Sequence, residues 1–91
     1  SLRIPNAIRL QPERPENGSL YLIQSGISYD LEVYDRWGGM IYQAAKITGG
    51  DHTAGWRPSD GKVGPGVYVY KITVHHSDMD KKVIFGTVSV F

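Results

Sequence analysis

Glycine and proline interrupt this chain so often that no long helix fits between them. Eleven glycines and five prolines are distributed over 91 residues, and β-branched and aromatic residues fill the intervals. This combination is typical of short strands joined by tight turns. No segment longer than about ten residues repeats its apolar positions with the helical period of about 3.6 residues. The sequence therefore predicts an all-β domain.

The alternation of apolar and polar residues predicts which strand faces are buried. In Tyr29–Arg36, Leu31 and Val33 should face a core while their charged neighbours face water. Val67–His76 has the strongest strand pattern, and Lys81–Phe91 should return beside it. One face of the strongest strand carries Tyr68, Tyr70, Ile72 and Val74.

Three weaker segments complete the predicted set of strands. Leu2–Leu10 is interrupted by Pro5, which suits an edge strand or a docking arm. A short strand is expected at Leu20–Gln24, and Trp37-Gly38-Gly39 should turn the chain into a hairpin strand at Met40–Ala44. Six or seven strands at a spacing of about 8–15 residues predict that residues 1–91 form one small antiparallel β-sandwich.

Charge and composition exclude several classes of protein. Ten lysines and arginines against nine aspartates and glutamates give a net charge of +1, which argues against a dedicated nucleic-acid-binding domain. The chain has no cysteine, so disulfides, thiolate nucleophiles and cysteine-ligated zinc are excluded. No apolar run approaches the roughly 20 residues that span a bilayer. No export signal is visible, so if the protein is secreted we expect this chain to be part of a longer exported protein.

The candidate catalytic and metal-binding residues do not form a site in the sequence. His75 and His76 are neighbours on a strand, so their side chains should point to opposite faces. His52 has no nucleophile or metal partner at a useful spacing. Asp78 and Asp80 lack the glycine and the closing glutamate of a calcium loop, although a weak calcium contact there stays open. The sequence predicts a non-enzymatic protein without a metal or cofactor.

Exposed aromatic residues offer a different function, because aromatic rings can stack on sugars. A small sandwich also needs aromatic side chains to fill its core, since each buries about 150–250 Å². Exposure would therefore distinguish a glycan-binding platform from core packing. The candidates are Tyr21, Tyr34, Tyr42, Trp37 and Trp56.

Several short motifs, taken in order along the chain, resemble one protein family. They are Ile4-Pro5-Asn6-Ala7, then Leu31–Gly39 with the sequence LEVYDRWGG, then Gly55-Trp56, Asp60-Gly61, Pro65–Ile72 and Gly86–Val90. This order resembles the gliding-motility-associated C-terminal domain of Bacteroidota, which is the type B sorting domain of the type IX secretion system. The chain resembles a divergent member, because QPERPENG follows the first motif where the family has an acidic turn.

The resemblance implies an immunoglobulin-like sandwich in which the motif residues are mainly structural. At the hairpin end, Trp37 is expected to cap the edge of the core. The Tyr68 hydroxyl is expected to bond a nearby loop backbone, in the manner of a tyrosine corner. The motif residues are Ile4, Pro5, Asn6, Ala7, Arg36, Trp37, Gly38, Trp56, Gly61, Gly66, Tyr68, Tyr70 and Gly86.

The resemblance also implies a function, a location and partners. The expected function is non-enzymatic sorting of a passenger through the periplasm to the cell surface or the medium, with the type IX translocon and an SprF-like outer-membrane barrel as partners. Recognition should use strand edges at Leu2–Leu10 and Lys81–Phe91, where Thr87 and Ser89 are the candidate residues for pairing with a partner strand. The alternatives are an adhesion or glycan-binding module and a structural module of a surface filament.

Overall fold

The computed structural model describes residues 3–60, 63–75 and 81–91. In these residues the all-β prediction is confirmed, because strands predominate and the only helices are two short 3₁₀ turns at Pro15–Gly18 and Pro58–Asp60. The five strands are β1 (Ala7–Ile8), β2 (Ser28–Tyr34), β3 (Met40–Thr48), β4 (Gly66–His75) and β5 (Lys81–Val90).

The five strands form one mixed sheet in the order β1-β5-β4-β2-β3. β1 runs parallel to β5, with Ala7 opposite Ser89, while the other neighbours are antiparallel. The prediction of a wholly antiparallel architecture is therefore wrong at this side of the sheet. Alternation within a strand identifies its buried face, but the direction of its partner depends on the tertiary path of the chain.

Pro5 limits the length of the parallel pair. Asn6 O accepts a hydrogen bond from Ser89 N at 3.0 Å, and Ile8 O accepts one from Phe91 N at 2.9 Å. Pro5 has no N–H to donate and ends the ladder on its side. The chain before it leaves β5, and Arg3 O instead accepts a hydrogen bond from Ile23 N at 2.9 Å.

Loops, rather than a second sheet, cover the inner face of the sheet within the described residues. The strand expected at Leu20–Gln24 makes a single bridge, in which Leu20 and Trp56 exchange backbone hydrogen bonds. In one direction the next donor along this pairing would be Pro58, which has no N–H. In the other direction Leu22 N bonds the Tyr29 hydroxyl and Ala54 N bonds Asp51 O, so the bridge does not extend into a ladder. Leu20, Leu22 and Trp56 nevertheless pack with the sheet residues in one buried core.

The predicted strand faces are confirmed for β2 and for most of β4. Leu31 and Val33 are fully buried beside Tyr29, and Lys71 and Thr73 lie on the outer face of β4. Tyr68 on β4 is only partly buried. The remaining core side chains are Ile8, Leu20, Leu22, Ile47, Trp56, Tyr70, Ile72, Val74, Val88 and Val90.

Tyr29 joins the sheet to the covering loops. Its side chain is fully buried, and its hydroxyl accepts a hydrogen bond from Leu22 N at 3.2 Å. That bond satisfies the buried N–H of Leu22, which lies outside the strands and has no ladder partner. Burial raises the pKa of the Tyr29 hydroxyl.

Asp30 stabilises an irregular part of the β2–β3 pair. The register shifts between Tyr29 and Leu31, and on β3 Lys46 adopts a positive φ of 56°. Asp30 Oδ1 accepts a hydrogen bond from Lys46 N at 3.0 Å, and Asp30 Oδ2 lies 3.0 Å from Nε2 of His75 on β4. The Lys46 amide, and after it His75, lowers the pKa of the Asp30 carboxyl. One side chain therefore contacts both neighbouring strands.

Candidate functional site

The β2–β3 turn is held by Asp35. Asp35 Oδ1 accepts hydrogen bonds from Trp37 N at 2.9 Å and from Gly39 N at 2.8 Å, and Asp35 N donates to Gly39 O. Gly38 has a φ of +87°, which a residue without Cβ adopts at little cost. The bonds fix the backbone of the turn and place Arg36 and Trp37 at its tip.

Trp37 does not cap the core, contrary to the expectation from the sequence. Its side chain is 80% exposed, and the Arg36 guanidinium lies 5.0 Å from the centroid of its ring. The last β2–β3 pair is Tyr34 with Met40, so Trp37 lies beyond the ladder. The alternation that directs strand side chains inward no longer applies there.

The segment that begins β4 faces this turn. The Tyr68 hydroxyl donates a hydrogen bond to Gly64 O at 2.7 Å, which confirms the predicted bond from this tyrosine to the loop backbone. The Tyr68 ring also packs edge-on against Trp56, with centroids 5.6 Å apart. Because Trp56 belongs to the core, Tyr68 connects this exposed segment to the rigid interior.

A groove of about 280 Å³ separates the turn from the start of β4. The structure thus brings together two of the motif segments singled out in the sequence, although they are distant along the chain. Arg36 and Trp37 line one side, and Gly66 and Tyr68 line the other. We call this the motif groove, lined by Asp35, Arg36, Trp37, Pro65, Gly66, Val67 and Tyr68.

The backbone of Val67 faces the motif groove without a ladder partner. Ser89 N bonds Asn6 on the β1 side, so its opposite residue, Val67, directs its own N–H and C=O away from β5 and towards β2. The β2–β4 ladder ends two residues from Val67 along β4, where Tyr34 lies opposite Val69. No described residue of the turn bonds to these two groups of Val67. No pattern in the sequence indicates these two groups, because their position depends on where the ladder ends.

The other motif residues lie away from the groove. Trp56 is only 3% exposed, so its burial argues against the part of the glycan platform that relied on it. Gly61 lies outside the described residues. Ile4, Pro5, Asn6 and Ala7 form the N-terminal arm and β1, while Tyr70 and Gly86 lie opposite each other on β4 and β5.

The two candidate edge residues on β5 differ in their surroundings. Ser89 is paired with Ala7, so its backbone is not free and the prediction of an open edge there is wrong. Thr87 lies beyond the parallel pair. β1 reaches only the last two positions of β5, so Lys81–Thr87 has no strand partner on that side among the described residues. We call Lys81–Thr87 the β5 edge.

The candidate metal ligands are not brought together. His75 contacts Asp30, and His52 packs edge-on against Tyr21 with ring centroids 6.2 Å apart. His76, Asp78 and Asp80 lie outside the described residues. Within the part of the chain that the structure describes, no three histidine or acidic side chains are grouped as they would be around a metal ion.

A second pairing of arginine with an aromatic ring was missed in the sequence. The Arg9 guanidinium lies 5.3 Å from the centroid of the Phe91 ring, and these residues line a separate shallow depression with Leu10 and Gln11. The two residues are almost a chain length apart, and only the parallel β1–β5 pairing brings them together. Neither residue lines the motif groove.

Comparison of the chain with protein-family models, with curated proteins and with solved structures finds no significant match. The family therefore stays a prediction that rests on the motif residues. No helix in residues 3–60, 63–75 or 81–91 is both long enough and apolar enough to cross a membrane.

Proposed function

We propose that this chain is a non-enzymatic sorting domain of the type IX secretion system, of type B, within a larger exported protein. Its passenger would cross the periplasm and reach the cell surface or the medium. The partners would be the type IX translocon and an SprF-like outer-membrane barrel. The motif residues support the family, and the β5 edge is the observation that supports recognition by a partner strand.

The β5 edge has the properties that strand addition requires. Its outward N–H and C=O groups have no strand partner among the described residues, so they can hydrogen-bond to an incoming strand. Val83 and Phe85 lie on the outer face beside these groups and are 48% and 69% exposed. The side chains of an added strand would cover both, which provides apolar contact as well as backbone pairing.

We further propose that the fold is a reduced immunoglobulin-like sandwich. The bond from Tyr68 to Gly64 and the edge-on contact of Tyr68 with Trp56 support this relationship. In this view the loops that carry Leu20, Leu22 and Trp56 take the place of the second sheet.

A secretion assay tests the sorting function. Residues 1–91 are fused to the C-terminus of a Sec-exported fluorescent protein and expressed in a gliding Bacteroidota host, with and without the translocon. The expected result is fluorescence outside the cell only when the translocon is present. Retention of the folded fusion in the periplasm, even with the barrel partner co-expressed, would refute the sorting function.

Proline substitution at each sheet edge tests the role of the β5 edge. Thr87→Pro removes an outward N–H that is not used in the β4–β5 ladder, and Gln43→Pro does the same on β3 at the opposite edge. We expect secretion to be lost for Thr87→Pro and kept for Gln43→Pro, while both purified domains give the strand signal in circular dichroism. Secretion of a folded Thr87→Pro fusion would refute edge pairing and leave the sorting function standing.

A structural module of a surface filament is the second candidate, because strand addition between copies would use the same β5 edge. Light scattering on the isolated domain distinguishes the two functions. Concentration-dependent chains of copies that Thr87→Pro abolishes would favour the filament module over the sorting domain.

A further inference from the structure

The motif groove contains groups that the proposed sorting function does not use. They are a guanidinium, an exposed indole and a backbone N–H with its neighbouring C=O. The observations come from Arg36, Trp37 and Val67, and none of these residues belongs to the β5 edge. We propose that the motif groove binds a short extended peptide segment that carries an acidic side chain.

The Arg36 guanidinium is available for a carboxylate. It is held against the face of the Trp37 ring, and in the described part of the chain it has no ion-pair partner. The adjacent carboxylate, Asp35, accepts two backbone N–H groups of the turn through Oδ1. A guanidinium stacked on a ring still presents its N–H groups at its edge, in the planar geometry that matches a carboxylate.

The backbone of Val67 selects an extended peptide. Its N–H and C=O are spaced as in a strand, and the β2–β4 ladder that would have used them has ended. A peptide in extended conformation can satisfy both groups at once, because one of its residues supplies a C=O and an N–H at the spacing of a strand, whereas a fully ionised inorganic anion has no donor for the Val67 C=O. In the groove, one residue of a bound peptide could therefore pair with Val67 and extend the sheet, because the turn does not pair with Val67.

The Trp37 ring and the size of the groove limit the length of the bound segment. The ring is 80% exposed and lines the groove, so it can cover an apolar side chain of the peptide beside the acidic one. About 280 Å³ is just below the range of roughly 300–1,000 Å³ for small-molecule sites, which suits a bound segment of about two or three residues.

Tryptophan fluorescence gives a direct binding assay. The chain has two tryptophans, and Trp56 is buried, so a change in the solvent-exposed emission reports on Trp37. The probes are two N-acetylated, C-amidated peptides, Ala-Val-Asp-Leu-Val-Ala and the same sequence with Asn in place of Asp. We expect the Asp peptide to bind at least about fivefold more tightly than the Asn peptide at low salt, with the difference decreasing as salt is added.

Two arginine variants separate recognition from net charge. Arg36→Gln should remove the preference for Asp over Asn. Arg9→Gln is the matched control, because it removes the same charge from the other arginine–aromatic pair and should keep the preference. Because Arg36 and Arg9 are exposed, we expect both variants to fold, and circular dichroism checks this.

The Val67 amide tests the backbone contact independently of tryptophan. In nitrogen–proton correlation spectra, the Val67 resonance should shift with the Asp peptide and shift less when the peptide is N-methylated at the residue after Asp. Three results would overturn the proposal. They are equal affinity for both peptides, an unchanged preference for the Asp peptide in Arg36→Gln, and a response to maltohexaose but to neither peptide. The assay uses the isolated domain in vitro, so failure of secretion would leave the peptide-binding result intact. Failure of the peptides to bind would likewise leave the sorting function standing.

Discussion

The contact between Tyr70 and Gly86 predicts that an added methyl group will destabilise the domain. The two residues lie directly opposite each other on β4 and β5, and Tyr70 is only 8% exposed. A Cβ on Gly86 would lie 2.5 Å from Cζ and 3.0 Å from Cε2 of the Tyr70 ring. Gly86→Ala therefore forces the ring to move within a packed core.

The magnitude follows from two opposing effects. Overpacking of a core costs about 1–3 kcal/mol. Replacement of glycine by alanine recovers about 0.4–1 kcal/mol by restricting the unfolded chain. The midpoints of these two ranges leave an expected net loss of about 1.3 kcal/mol of unfolding free energy. That corresponds to a fall in Tm of roughly 5–10 °C in a domain of this size.

Urea and thermal unfolding followed by circular dichroism measure this loss. Tyr70→Leu, which removes the ring, is combined with Gly86→Ala in a double-mutant cycle. We expect the alanine to be much less harmful in the Tyr70→Leu background than in the wild type. A Gly86→Ala domain as stable as the wild type, or a cycle with no coupling, would refute the reasoning.

Three further predictions concern stability. Tyr29→Phe leaves the buried Leu22 N–H without its acceptor and should cost about 1–3 kcal/mol in urea unfolding. In the wild type, stability should fall as pH rises above about 10, because the pKa of Tyr29 is raised in the folded state. Since the pKa of Asp30 is lowered in the folded state, its stabilisation is present above about pH 4 and is lost as pH falls through the folded pKa. Asp30→Asn should therefore weaken the domain most at pH 7, with a cost that shrinks as the pH is lowered below about 4, as chemical denaturation at several pH values can check. Trp37→Ala should change the Tm little, whereas Trp56→Ala should cost about 3–5 kcal/mol, and comparable effects would contradict the assigned exposures.

The strand faces could be predicted from sequence because they depend on a local period of two residues. That period correctly placed Leu31, Val33, Ile72 and Val74 in the core. The partner of a strand is not a local property, so neither the parallel pairing of Ala7 with Ser89 nor the replacement of a second sheet by loops could be predicted.

The candidate site was predictable only in its parts. Arg36, Trp37, Gly66 and Tyr68 stood out as motif residues, but their convergence on one groove depends on the β2–β4 pairing. The two tryptophans show the same limit, because both were candidates for an exposed glycan platform and Trp37 was also expected to cap the edge of the core from its place at the hairpin end. The outcome depends on Trp37 lying beyond the last ladder pair and on Trp56 pairing with Leu20.

The parallel pairing of β1 with β5 has a mechanical consequence. A pull on the chain before β1, resisted by the chain after β5, acts in opposite directions along two parallel neighbours. Ser89 N, Phe91 N and Leu10 N donate the hydrogen bonds that join these segments, and all three would be loaded in shear at once instead of opening one after another. The domain should therefore resist stretching between its ends better than a hairpin whose hydrogen bonds open one by one from its open end. Single-molecule force spectroscopy with Ser89→Pro as the weakened variant would measure the difference.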